Sequence, residues 1–259
     1  MILTVFLTMV AIHVFVEFYV IPEDGVGPRF LRRSRGEENT KKTLNRRLIV
    51  SVLCQSILML IALLFFTHTF LYAFGAALFI GLFAFVIDVW GVERVTTLRS
   101  LVIKQSAHLG LLLFVAIAIA SSDARSEAIN ALQQQSWWGL FSGVLAYLLA
   151  MKPSSVAISL LLRNWTQELN DASDIEKNRP LKDAGTYIGY FERALIVTFV
   201  LWGQLPGVAL VLAAKSVFRF GDMKDHGSRM FTEYVMLGTF ASTLFAIASG
   251  VLGLYLVHL

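Results

Sequence analysis

The sequence predicts an all-α, polytopic transmembrane helical bundle of about eight spans. Three observations carry that expectation. Hydrophobic residues make up 56% of the 259 residues and charged residues only 15%, whereas a soluble domain carries roughly 25% charged residues. The apolar runs are long enough for membrane helices and lack the ten-residue alternation of a barrel strand, and mean hydropathy is +0.67. Lysine and arginine gather in the segments between the runs, as cytoplasmic loops require.

The first span covers about Ile2–Ile21 and stops at Pro22. It has no basic leader and no small-residue cleavage site, and it carries His13 and Glu17 in its apolar body, so it reads as a retained span rather than a signal peptide. Pro22–Arg47 follows with Arg29, Arg32, Arg33, Arg35, Lys41, Lys42, Arg46 and Arg47, the densest basic stretch in the chain. The positive-inside rule places it in the cytoplasm. Phe30 is its only aromatic residue, so no stacking platform for nucleic acid is present and a nucleic-acid partner is disfavoured.

Span two is about Leu48–Phe70, and a tight turn near Leu71–Gly75 is expected to lead into span three, which ends near Trp90–Val92. Glu93–Ser100, with Arg94 and Arg99, is read as cytoplasmic, span four as about Leu101–Ser121, and polar Ser122–Ser136 as an outside loop. Span five opens at the interfacial pair Trp137 and Trp138, runs to about Leu162, and is interrupted at Lys152-Pro153-Ser154-Ser155. Proline lacks the backbone donor and restricts its predecessor, so the helix should break there. Arg163–Ala184 is read as a cytoplasmic segment, span six as about Gly185–Trp202, and Gly203–Pro206 as a turn. Span seven is about Gly207–Phe220, Gly221–Met230 a cytoplasmic turn, and span eight about Phe231–Val257. Both termini then lie outside. The whole chain, 1–259, is expected to form one integral membrane domain, with histidine- and acid-bearing helices in 1–121 and a charged core in 137–259. The single cysteine, Cys54, excludes an internal disulfide and a thiolate metal cluster within one chain.

Ionisable residues inside spans cost at least ~2.5–3.5 kcal/mol each on insertion scales and therefore pair or serve a function. With this topology His13, Glu17, Asp88, His108, Glu192, Arg193, Lys215, Arg219 and Glu233 all fall in the cytoplasmic third of the bilayer, which predicts a polar centre opening toward the cytoplasm. His13 and Glu17 stand four apart and share a helix face. Two imidazoles and two carboxylates, His13, Glu17, Asp88 and His108, suit a divalent zinc, manganese or iron ion. The same residues also suit a hydrogen-bonded packing network or a metal-free proton relay. Arg193, Lys215 and Arg219 suit an anionic group such as a phosphate or a lipid headgroup, with Glu192 or Glu233 handling protons. They suit a structural ion-pair network equally, with Lys215 pairing Glu192 or Glu233. Gly185, Gly189, Gly238 and Ser242 are read as helix-packing positions.

The carboxyl half resembles an uncharacterised family of bacterial inner-membrane proteins, domain of unknown function three-three-zero-seven. GTYIGYFER at Gly185–Arg193, Gly203-Gln204, AAKSVFRF at Ala213–Phe220 and EYVMLGT at Glu233–Thr239 carry the resemblance. The amino half departs from the family pattern. Glu17 stands where the family has an aspartate after His13, Ala84 where a histidine is expected before Asp88, and Lys104 where an aspartate precedes Gln105 and His108. The family's histidine and aspartate pattern is similar to that of membrane-bound metal-dependent hydrolases. The resemblance therefore implies a bacterial inner-membrane location and a metal site, and it transfers no established activity.

Three readings follow. One is a metal-dependent hydrolase acting on a phosphate-bearing or lipid substrate. Another is a proton-coupled transporter or channel built on the same charges and the break at Pro153. The third is a membrane effector or assembly subunit, in stress or phage defence, that docks a cytoplasmic protein through Pro22–Arg47 and Arg163–Ala184.

Overall fold

In the computed structural model, residues 2–20, 37–67, 69–92, 97–122, 135–172, 184–225 and 229–258 are described, and the architecture is all-helical. Ten α-helices are found among them: α1 Ile2–Phe15, α2 Glu37–Phe66, α3 Phe70–Val92, α4 Leu98–Ser122, α5 Gln135–Ala150, α6 Lys152–Leu161, α7 Arg163–Ala172, α8 Ala184–Leu201, α9 Leu205–Asp225 and α10 Arg229–Val257. Six stretches among the described residues are long and apolar enough to cross a membrane: Ile2–Val20, Leu48–Phe66, Phe70–Gly91, Leu98–Ile119, Trp137–Leu161 and Thr232–Val257. Leu205–Val217 is apolar but shorter. The six coincide with expected spans one to five and eight. Spans six and seven correspond to α8 and to that shorter stretch in α9.

Several boundaries differ from expectation: α3 begins at Phe70, so Leu71–Gly75 is helical and not a turn, and α9 runs to Asp225 and α10 starts at Arg229, inside the expected turn Gly221–Met230. Helix α2 starts at Glu37, well before the apolar run at Leu48, so the second half of the basic segment is helical and not a loop. Hydropathy marks where a helix enters lipid, whereas the polar Glu37–Arg47 turns are carried by propagation from the apolar part. Likewise Arg163–Ala172 forms the polar helix α7 at the start of the expected loop. Arg29, Arg32, Arg33 and Arg35 lie outside the described residues, as do His68 and His226.

The chain divides into two compact units, Met1–Trp138 and Gly139–Leu259. In the first, α1 packs on α2 and α4, α2 on α3, and α3 on α4. Helix α1 is its inner helix: 56% of its apolar window is buried, against 22–28% for the windows of α2, α3 and α4. Those outer helices present Ile49, Ile57, Leu71, Leu82 and Phe114 outward, the side chains a lipid-facing surface needs. Helix α1 runs into a π-helical turn, Val16–Val20. Such turns are rare, and they recur at functional sites.

In the second unit α8 packs against α9 and α10, and α10 also contacts α6 and α7. The core joins Ala146 and Ala150 of α5 to Ile196, Val197 and Val200 of α8, Val208 of α9 and Ala246 of α10. Two sequence breaks shape it. Pro153 enters the first turn of α6 and has no N–H for the Leu149 carbonyl, which instead accepts a bond from Ser154 Oγ at 2.8 Å. The chain therefore turns at Met151, as expected from the sequence. Helix α8 ends at Gly203, whose φ is +69°. Gln204 N donates to Phe199 O at 2.7 Å and Gly203 N to Val200 O at 3.0 Å, the paired bonds of a Schellman cap that a glycine accepts without steric cost.

Candidate functional site

The inner face of α1 brings His13 toward α4, and the π-turn carries Glu17 to the same region. Both are buried, as are Asp88 of α3 and His108 of α4. The histidine rings lie 4.4 Å apart between centroids, tilted by 31°. One ligand atom from each of His13, Glu17 and His108 falls within 4.8 Å of the other two. Asp88 stands behind this triple: its Oδ1 lies 3.2 Å from His108 Nε2. Of the four residues read as metal ligands, the fold thus groups three as potential ligands, with Asp88 bonded to the His108 imidazole.

Two further residues complete the cluster. Lys104 Nζ donates to Glu17 Oε1 at 2.6 Å and lies 2.8 Å from Asp88 Oδ1. His13 Nε2 lies 3.1 Å from Gln105 Oε1. The sequence reading noted both residues as departures or matches within a motif, yet named neither as part of the site. The available signal was spacing: Lys104 and His108 are four apart in an apolar helix, so they share a face.

Amide and carboxylate oxygens only accept, so with Gln105 turning its oxygen to His13 and Asp88 its carboxylate to His108, Nε2 is the donor in both contacts. In a neutral ring the other nitrogen, Nδ1, is then a bare lone pair. Neither His13 Nδ1 nor His108 Nδ1, both buried, has a hydrogen-bond partner among the described residues. A buried acceptor without a donor costs ~1–3 kcal/mol, and here two occur on rings whose centroids are 4.4 Å apart. An imidazole whose outer nitrogen is held by a carboxylate or carbonyl while the inner one is bare is the arrangement of a metal-ligating histidine.

The second unit holds a different polar group. Arg193 of α8 is buried. Its Nη1 donates to Ser242 Oγ at 3.1 Å, and its Nη2 to Ser155 Oγ at 2.6 Å and to the Met151 carbonyl at 3.5 Å. Its guanidinium carbon sits 5.3 Å from the Tyr190 ring centre. A Cβ at Gly189 would meet Arg193 Nη1 at 3.3 Å, so this glycine clears room for the guanidinium. Ser242, read as a packing residue, is a bond partner. A Cβ at Gly238 would come within 3.2 Å of Leu162, in keeping with close packing, whereas around Gly185 there is nothing within 4 Å.

Lys215 of α9 pairs with Glu192 of α8, one of its two expected partners. Glu233 is exposed on α10. Arg219 lies on α9, with its side chain outside the described residues. The residues expected at a common depth thus separate into one group within residues 1–138 and another within 139–259.

No family model, no curated protein and no solved structure matches this chain.

Proposed function

We propose that this chain is a multi-pass membrane protein whose first unit holds one divalent metal ion on His13, Glu17 and His108, and that it acts as a metal-dependent, hydrolase-like enzyme on a lipid-borne ester or phosphoester. The supporting observation is the grouping of buried His13, Glu17 and His108, with one ligand atom of each within 4.8 Å of the others, together with two buried Nδ1 atoms that have no hydrogen-bond partner among the described residues. Two nitrogens and one carboxylate suit zinc and also ferrous iron. Atoms bound to one ion at ~2.1 Å in a tetrahedral site lie ~3.4 Å from one another, so ligand atoms within 4.8 Å of one another would close by up to about 1.4 Å on binding. A divalent ion here would supply Lewis acidity and activation of water near neutral pH.

The protein's own groups have distinct tasks in this reading. Asp88 and Gln105 orient the imidazoles, and Lys104 offsets carboxylate charge in a poorly solvated interior. The surrounding apolar helices admit a lipid-soluble substrate and limit bulk water. Binding of a phosphate by Arg193, Lys215 and Arg219 gains no support from the geometry, because Arg193 and Lys215 are engaged with protein partners. The same holds for Glu192 as a proton carrier.

The Lys/Arg distribution supports both termini outside and Pro22–Arg47 in the cytoplasm of a bacterial inner membrane, with α8 and α9 adding two spans to make about eight. A proton-coupled carrier is the second reading, favoured by one observation: Glu17, Lys104, Asp88 and His108 form an unbroken chain of titratable groups.

The test is metal analysis of protein purified in detergent without chelator, followed by a hydrolysis assay on a panel of lipid phosphates and lipid esters. The reading expects about one ion per chain and hydrolysis that stops on metal removal and returns on reloading. Absence of bound metal after loading with zinc and with ferrous iron would sink it in favour of the relay.

A further inference from the structure

The ammonium of Lys104 occupies a definite place. Its nitrogen lies 2.6 Å from a Glu17 oxygen and 2.8 Å from an Asp88 oxygen. Calcium binds carboxylate oxygens at ~2.3–2.6 Å, so the nitrogen stands close to where an oxygen-seeking cation bridging the two carboxylates would sit. The imidazole Nδ1 atoms remain outside this arrangement. The cluster therefore has two kinds of cation-binding chemistry. The carboxylate pair is filled by a residue of the chain itself, and the nitrogen-rich side is left bare.

The path of the lysine is built into the packing. A Cβ at Gly91 of α3 would meet Lys104 Cδ at 3.1 Å, Cε at 3.4 Å and Cγ at 3.6 Å. Glycine at this position gives the stem a trough along α3 toward the carboxylates. Lys104 is part-buried at 14% side-chain exposure, and its two acceptors are at 5% and 3%.

We propose that Lys104 is a specificity residue that plugs the hard-cation position between Glu17 and Asp88, so that the cluster rejects calcium and magnesium and admits only a metal that takes imidazole nitrogen. This rests on the metal reading above only for the identity of the ion admitted; exclusion of hard cations is a separate claim. The physical basis is ligand preference and charge. Calcium and magnesium require several oxygen ligands, mostly charged. An ammonium already bonded to Glu17 Oε1 and Asp88 Oδ1 takes up one oxygen of each carboxylate and adds one positive charge beside any incoming ion. Zinc and ferrous iron accept nitrogen ligands and so lose less.

The experiment uses full-length protein in detergent, with equilibrium dialysis against calcium in one arm and zinc in the other. Wild type should bind zinc and show no saturable calcium site. Lys104→Met should gain a calcium site with an affinity about tenfold or more above any wild-type binding, because a unit charge a few ångströms from the ion has been removed. Lys104→Arg, which keeps the charge, should not gain it. Adding Glu17→Gln to Lys104→Met should abolish the gain. Should Lys104→Met not fold, Lys104→Gln, which is neutral but keeps a side-chain donor, replaces it with the same expectation. A lysine with a purely structural role would lower stability without creating calcium binding, and that result overturns the proposal whatever zinc does. Calcium binding by wild type equal to that of Lys104→Met also overturns it. Failure of wild type to bind zinc and, in a repeat of that arm, ferrous iron, with the calcium gain intact, overturns the metal-enzyme reading and leaves the plug standing.

Discussion

Arg193 in residues 139–259 and the His13–His108 pair in residues 1–138 are buried to a similar degree, at 4%, 0% and 1% exposure. Their surroundings differ in kind. Around Arg193 the partners are two serine hydroxyls and a carbonyl at a helix break. All are neutral acceptors, with Met151 and Ser155 where α5 gives way to α6 and Ser242 on α10, so the guanidinium ties the break to α8 and α10. Around the histidines the partners are an amide, Gln105, and a carboxylate, Asp88, and Nδ1 of each ring has no hydrogen-bond partner among the described residues. A buried charge wrapped by acceptors fixes a fold. A buried cluster with bare lone pairs is prepared for something that is not part of the chain.

That contrast can be broken by substitution. The largest effect should come from His13→Ala or His108→Ala, each of which removes one of only two nitrogen ligands. Metal content should fall from about one ion per chain to near zero, while Arg193→Leu should leave it unchanged. Equal metal loss in all three variants would mean that the first unit's site depends on overall folding and not on its own ligands.

Next in size is Arg193→Leu itself. Charge-assisted bonds contribute ~1.5–3 kcal/mol each, so loss of the bonds to Ser155 and Ser242 should destabilise by ~3 kcal/mol, read from denaturant or thermal melts in detergent. An unchanged melt would remove Arg193 as the tie at Met151.

Asp88→Asn keeps a side-chain oxygen for His108 and removes its charge. Loss of such an outer partner lowers metal affinity ~10–100-fold, measurable by zinc competition with a chromophoric chelator. No change there would reduce Asp88 to a counterion for Lys104.

The smallest effect should be at Lys215 and Glu192, both 18% exposed. Lys215→Met and Glu192→Gln should each destabilise by ~1 kcal/mol, and the double variant should recover part of the loss, because neither charge is left alone. Additive losses would show that the pair contributes no coupling.

Much of this was legible in the sequence, for specific reasons. Apolar runs located the six long helices because lipid demands both length and composition. Pro153 announced the break at Met151, since proline removes a donor in any helix. His13 and Glu17 were paired by their spacing of four. The π-turn at Val16–Val20 left no such mark, because it depends on how α1 meets its neighbours. Lys104 was passed over because a motif comparison saw only a missing acid. That its ammonium sits between Glu17 and Asp88 depends on the approach of α1, α3 and α4, and one-dimensional spacing does not encode it. Ser242 was assigned to packing by its small size, whereas its hydroxyl serves Arg193 from another helix. Hydropathy also hid the polar turns Glu37–Arg47 of α2, which are helical without being apolar.

The central claim is that two histidine nitrogens and Glu17 bind one divalent ion. X-ray absorption at the zinc edge, on full-length protein loaded with one equivalent of zinc in detergent, tests it most directly. The account predicts light-atom ligands at ~2.0–2.1 Å with the outer-shell scattering of two imidazoles, falling to one imidazole in His13→Ala if that variant retains any zinc. A spectrum of oxygen ligands alone, or one with two imidazoles that persists unchanged in His13→Ala, would contradict it.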